Sequence, residues 1–147
     1  MPTPEGMREL TESECWDELR ANEQSGGGVG RIAVAIMNHP DIFPINYVVD
    51  HGSVVFRTAE GTKLAASVLG AGVAFEADGY DPDAGEAWSV VIKGEAVEIE
   101  QVLDRFDAGG LPLFPWHAGP KHRFVRIDPE TVSGRRFVVV EERRPVD

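Results

Sequence analysis

From Val29 onward the apolar residues of this chain fall in short runs broken by glycine, proline and aspartate, and helical periodicity interrupts them only briefly. Residues 29–37, 42–50 and 53–58 read as strands. The last two are joined across His51-Gly52, a short glycine-containing connection that suits a β-hairpin. Residues 71–80 and 86–100 read as two longer strands around the turn Asp81-Pro82-Asp83-Ala84-Gly85, whose proline and glycine preset turn dihedrals. Residues 123–127 and 136–141 supply closing strands. Five or six strands with a few short helices, and no regular alternation of the two, specify an antiparallel barrel rather than a doubly wound parallel sheet.

The helices carry their own signals. Thr11 and Glu14 have the spacing of a capping box, which starts a helix over 12–22 with Cys15, Trp16 and Leu19 as its apolar stripe. Gly26-Gly27-Gly28 then breaks it. Within 61–69 the pairs Leu64/Val68 and Ala65/Leu69 lie four apart, so a short helix starts near Thr62 and ends at Gly70. Residues 101–108 read as a further short helix and 109–120 as an irregular linker.

A chain of 147 residues is one domain, long enough to bury a core without a metal or disulfide. No apolar run reaches the roughly 20 residues needed to cross a bilayer. The acidic N-terminus lacks the basic and apolar regions of a secretory signal, and a lone Cys15 excludes a disulfide framework, so the expected compartment is the cytoplasm. A formal charge of -11 opposes binding to nucleic acid or anionic lipid, so any phosphate site must be local. His39, His51, His117 and His122 have no metal-site spacing, and no serine sits in a nucleophile elbow.

One stretch does suggest chemistry. Phe56-Arg57-Thr58-Ala59-Glu60-Gly61-Thr62-Lys63-Leu64 runs from a strand end through a glycine turn into a helix start. Arg57 offers a planar fork of donors, Thr58 and Thr62 offer hydroxyls, and Lys63 adds a mobile cation, a set suited to a phosphate. The same residues also suit a plain strand, turn and solvated helix. Trp116 and His117, inside Pro115-Trp116-His117-Ala118-Gly119-Pro120, place an aromatic and a titratable group on an irregular segment. There Trp116 serves either as a cap on a bound ring or as an anchor for the linker.

The order and spacing of four elements resemble the pyridoxamine 5′-phosphate oxidase-like flavin-binding proteins, especially their small single-domain bacterial members. These elements are Gly30-Arg31-Ile32-Ala33, Phe43-Pro44-Ile45-Asn46-Tyr47, the stretch from Phe56 to Leu64, and Ala87-Trp88-Ser89-Val90-Val91-Ile92-Lys93-Gly94-Glu95-Ala96, and the resemblance covers about residues 10–137. It implies a six-stranded split β-barrel that binds FMN as a homodimer, each flavin pocket completed by the partner subunit. Arg57, Thr58, Thr62 and Lys63 are then expected at the phosphate, and Pro44, Ile45 and Asn46 beside the isoalloxazine. Trp88 and Ser89 begin the strand that resembles the flavin-contacting one, with a core or dimer-interface role as the alternative for Trp88. Gly94 is expected at a bulge or a close strand approach.

The expected function is that of an FMN-dependent oxidoreductase acting on a small molecule. The alternatives are a protein that holds flavin without turnover, a reductase using a deazaflavin coenzyme, and a barrel with no flavin at all. Arg135-Arg136-Phe137 stands where true pyridoxamine phosphate oxidases carry a basic, histidine-containing motif, which argues against vitamin B6 oxidation.

Overall fold

The computed structural model describes residues 6–25, 27–59, 61–99 and 122–139. Trp116, His117, the expected helix over 101–108 and the linker over 109–120 lie outside the described residues. In chain order the elements are β1 (Met7–Glu9), α1 (Glu12–Gln24), β2 (Gly28–Ile36), β3 (His39–Asp50), β4 (Ser53–Ala59), α2 (Lys63–Val68), β5 (Gly72–Asp81), β6 (Glu86–Glu98) and β7 (His122–Val138).

All strand pairs are antiparallel, in the order β1-β7-β4-β3-β2-β5-β6, and β6 also pairs with β7. Six strands therefore form a ring, with the short β1 added outside it. Strand β7 makes the ring possible because its first residues pair with β4, its last with β1, and nearly its whole length with β6.

Period-two alternation turns Ile32, Val34, Ile45, Tyr47, Phe56, Phe75, Val90, Ile92, Val125 and Ile127 into a single buried core. The Phe75 ring fits because residue 30 is glycine: a Cβ there would come within 2.5 Å of that ring. Tyr47 packs edge-on against Phe75 with ring centroids 5.0 Å apart.

Helix α1 forms as its capping box requires. The Thr11 hydroxyl accepts from the Glu14 N–H and the Glu14 carboxylate accepts from the Thr11 N–H. Those bonds, with Arg8 beside it, hold the Glu14 carboxyl down to about 2. Cys15, Trp16 and Leu19 enter the core, and α1 packs against β2, β3, β6 and β7. Its later turns are pinned by Tyr47, whose hydroxyl donates to the Leu19 carbonyl at 3.0 Å and accepts from Asn22 at 2.9 Å. Burial pushes this phenol up to about 12.

Two strand boundaries differ from expectation. The first hairpin turns at Met37-Asn38, both with positive φ, and pairing continues to Ile36↔His39, so β3 begins before Ile42. The closing strands over 123–127 and 136–141 are one strand. Pro129, which cannot donate to a ladder, stands opposite Gly94 where the register shifts between Lys93 and Gly94, so the missing bond falls at a bulge.

Candidate functional site

The pairing of β3 with β4 runs from Asp50↔Ser53 to Tyr47↔Phe56 and stops. The next residues are Asn46, Ile45 and Pro44 on β3, and Arg57, Thr58 and Ala59 on β4. This is the split in the barrel. It lies between the residues expected at the ring and those expected at the phosphate. Beyond it β3 pairs only with β2, and β4 only with β7.

Among the described residues, Arg57 Nη1 and Thr58 Oγ1 beside the split are buried without a hydrogen-bond partner. Their side chains leave opposite faces of β4. Thr58, 2% exposed, lies on the inner face with Val54 and Phe56. Arg57 lies on the outer face beside Val55 and Phe124, where desolvation lowers the pKa of its guanidinium. A buried donor without an acceptor costs about 1–3 kcal/mol, more when charged. A phosphate on the outer face would supply the acceptor that Arg57 Nη1 lacks among the described residues, whereas Thr58 Oγ1, on the inner face, is turned away from the same group.

Thr62 and Lys63 are already engaged. The Thr62 hydroxyl donates to the Ala59 carbonyl at 2.7 Å and accepts from the Ala65 N–H at 3.2 Å, which caps α2 and leaves no hydroxyl hydrogen for a phosphate. Lys63 Nζ pairs with Asp41 Oδ2 at 2.9 Å on an exposed surface. That contact is the first cause of the lowered Asp41 pKa.

On β3, Pro44 and Asn46 face outward while Ile45 is buried in the core, so only the backbone of Ile45 borders the split. Exposed Val29 and Ile42 share the outer face with Pro44 and Asn46, through the pairs Val29↔Asn46 and Ala33↔Ile42. The result is an apolar surface beside the split.

Trp88 and Ser89 are not brought to the split of the same chain. Glu98 sits opposite Val125, next to the Phe124 that faces Arg57, whereas Trp88 lies ten residues back along β6, roughly 30 Å of strand. Trp88 is a core residue whose indole crosses Gly79, and it borders a cleft of about 460 Å³ with Tyr80, Asn22 and Arg136. Ser89 lines a separate groove with Leu10 and Arg135. Arg136 joins α1 to β6 through Glu18 at 2.7 Å and Glu86 at 3.0 Å, a structural use of the cation.

One residue at the site was missed in the sequence. Arg123 pairs across the ladder with Thr58 and therefore lies on the same face of the sheet. It contacts Glu98 at 3.3 Å and lines a groove with Gly61, Thr62, Ala65, Ala66 and Leu69. Its sequence neighbourhood gives no sign of this role, since only the β4–β7 register brings it to α2. Among the described residues no group of three or more His, Cys, Asp or Glu could hold a metal ion, and no helix is long and apolar enough to cross a membrane.

Residues 11–136 match the model of the family described as pyridoxamine 5′-phosphate oxidase. The chain belongs to that family. An uncharacterized protein of Mycobacterium tuberculosis is 33% identical over 151 residues, covering 97% of this chain and 95% of that protein. Among solved structures, the FAD-binding protein of Mycobacterium smegmatis is 40% identical with a TM-score of 0.79, over 89% of this chain and 98% of that one. An FAD-binding protein of Mesorhizobium loti is 27% identical with a TM-score of 0.67, over 88% and 96%. Family members with this architecture thus include flavin-binding proteins, and the antiparallel ring is their shared fold.

Proposed function

We propose that this protein binds a flavin nucleotide at the split between β3 and β4, in a homodimer, and uses it to oxidise or reduce a small molecule. The observation that carries the reading is Arg57 Nη1, buried without a hydrogen-bond partner among the described residues at the point where the pairing of β3 with β4 ends. FMN is the flavin expected from the family at large. The similar FAD-binding proteins of Mycobacterium smegmatis and Mesorhizobium loti shift the proposal toward FAD. The chain's acidity weighs against a deazaflavin with a polyanionic tail.

In this reading Arg57, on the outer face of β4, meets the phosphate, Lys63 exchanges Asp41 for the same group, and Pro44 and Asn46, on the outer face of β3, border the ring. The exposed Val29 and Ile42 beside them support a partner subunit that covers the ring, and symmetric pairing is the commonest oligomeric solution. Trp88 and Ser89 would then meet the flavin only from the partner's side. A bound flavin supplies the electron-transfer chemistry itself, and the protein supplies position and exclusion of water.

Purified protein mixed with FAD or FMN, filtered to remove free ligand and scanned from the near ultraviolet to the blue, tests the binding. The expected result is a retained flavin spectrum, on a species of about twice the 16.0 kDa chain mass by light scattering. An unretained chromophore refutes the flavin, and a monomer with flavin bound refutes the shared pocket. Reduction by a nicotinamide donor and reoxidation by an organic acceptor separates an oxidoreductase from a protein that only holds flavin.

A further inference from the structure

We propose that the cleft between α1 and the tip of the β5–β6 hairpin binds a small organic cation, an amine or amidine carried on an aromatic or other apolar body. The site is separate from the split and does not rest on the flavin reading.

One side of the cleft is a row of three residues paired across the sheet: Gly79 on β5, Trp88 on β6 and Arg136 on β7. Gly79 leaves the space that the indole takes, since a Cβ there would come within 2.5 Å of Trp88 Nε1. The ring therefore leans toward β5. Helix α1 supplies the facing side, where Glu18, Ala21, Asn22 and the C-cap Ser25 recur at the spacing of one helix face. Half-exposed Tyr80 and Pro82 close the hairpin side. The enclosed space is about 460 Å³, within the roughly 300–1,000 Å³ of small-molecule sites.

Charge selects the ligand. Among the described residues Arg136 is the only cation lining the cleft, and it is spent internally. Its Nε and Nη2 meet Glu18 Oε1 at 2.8 and 2.7 Å, and its Nη1 meets Glu86 Oε2 at 3.0 Å. Asp81 adds a carboxylate at the hairpin end, held in place by the N–H groups of Asp83 and Ala84 on its Oδ1 at 3.1 and 3.3 Å. Three carboxylates thus stand against one guanidinium. The C-terminal end of α1, where the peptide dipoles gather negative charge, opens on the same space, and its last turn holds no basic residue. An anion is disfavoured there on every count. Among the described residues no group of three His, Cys, Asp or Glu could hold a metal, whereas Tyr80 and Trp88 offer aromatic rings, which attract a cation and pack against an apolar body. The formal charge of -11 draws cations to the surface as a whole.

Calorimetry on the full-length protein compares tryptamine with indole-3-propionate, the same ring carrying a cation or an anion. Wild type should bind tryptamine with a Kd of about 1 mM or tighter, and at least about tenfold more tightly than indole-3-propionate. Ala21→Lys puts a cation into the lining from an exposed position in the last helical turn, where a lysine suits the helix, and should weaken tryptamine at least about tenfold. Glu95→Gln makes the same change in net charge from an exposed position roughly 23 Å along β6 from Trp88, and should leave the affinity within about twofold. Asp81→Asn keeps an oxygen for the two backbone N–H groups and should weaken tryptamine about three- to tenfold, so the site is tested even if Ala21→Lys alters the circular dichroism spectrum. Tryptamine binding weaker than about 1 mM in wild type, equal affinity for the two indoles, or a loss in Glu95→Gln matching that in Ala21→Lys overturns the site. So does unchanged tryptamine affinity in Asp81→Asn.

Discussion

Lys63 Nζ stands 2.9 Å from Asp41 Oδ2, so the cation expected at the phosphate is already paired with a carboxylate from the β2–β3 hairpin side of the barrel. An exposed pair of this kind contributes about 0–1 kcal/mol, whereas a charge-assisted bond to phosphate contributes about 1.5–3 kcal/mol. A phosphate should therefore win the lysine. Asp41→Asn removes the competitor and should raise flavin affinity about two- to fivefold, and Lys63→Ala should lower it roughly tenfold. Fluorescence titration with FMN measures both. Weaker binding by Asp41→Asn would mean that the carboxylate positions Lys63 instead of competing for it.

Thr58 carries a buried hydroxyl without a partner among the described residues, on the inner face of β4, and that hydroxyl costs stability. Thr58→Val keeps the shape and removes the unsatisfied oxygen. The ligand-free variant should gain on the order of 1 kcal/mol, or about 2–4 °C in melting temperature. Flavin affinity should be unchanged, because the hydroxyl lies on the face of β4 opposite Arg57. Thermal melts with and without flavin read the two effects separately, and a variant less stable than wild type in the absence of ligand would show that the hydroxyl is satisfied in solution.

Local chemistry made much of this fold legible. The Thr11/Glu14 box, the Thr62 cap and the His51-Gly52 turn each act over a few residues, and each formed where the sequence placed it. The Met37-Asn38 turn was hidden because methionine is a poor signal for the positive φ that it adopts there. That 123–127 and 136–141 form one strand was hidden because Pro129 is accommodated at a bulge in β7, and the register with β6 that sets this bulge comes from residues far away in the chain. At the site, Arg57 and Thr58 stood out beside a glycine turn. Arg123 did not, because its place opposite Thr58 is a property of register.

Gly94 tests that long-range constraint. A Cβ at this position would collide with the backbone carbonyl of Asp128, on the strand that the bulge holds against β6. No side-chain rotation relieves contact with a backbone atom. Gly94→Ala should cost at least about 1–3 kcal/mol, the usual range for overpacking, seen as a lower urea midpoint with an unchanged slope. A stability within about 0.5 kcal/mol of wild type would mean that the bulge shifts freely.

Glu76 should make stability depend on pH in the direction opposite to most carboxylates. Its carboxyl is pushed up to about 7, by desolvation first and then by the adjacent Asp78, while Arg31 at 2.7 Å pulls it down. These groups project from the outer face, where the register sets Glu76 between Arg31 on β2 and Val91 on β6. In the unfolded chain a glutamate titrates near 4.3, so between about pH 4.5 and 7 the folded state holds a proton that the unfolded state has lost. Folding then takes up a proton, and the stability from this group is fully present below the unfolded value and is lost as pH rises through about 7. Glu14, held down to about 2, acts in the opposite direction and only below about pH 4.5, so the two do not overlap above it. Melting temperature measured from pH 5 to 8 should therefore fall in wild type relative to Glu76→Gln, with the variant the more stable of the two at pH 8. Parallel profiles for the two proteins would show that Arg31 keeps Glu76 ionised throughout.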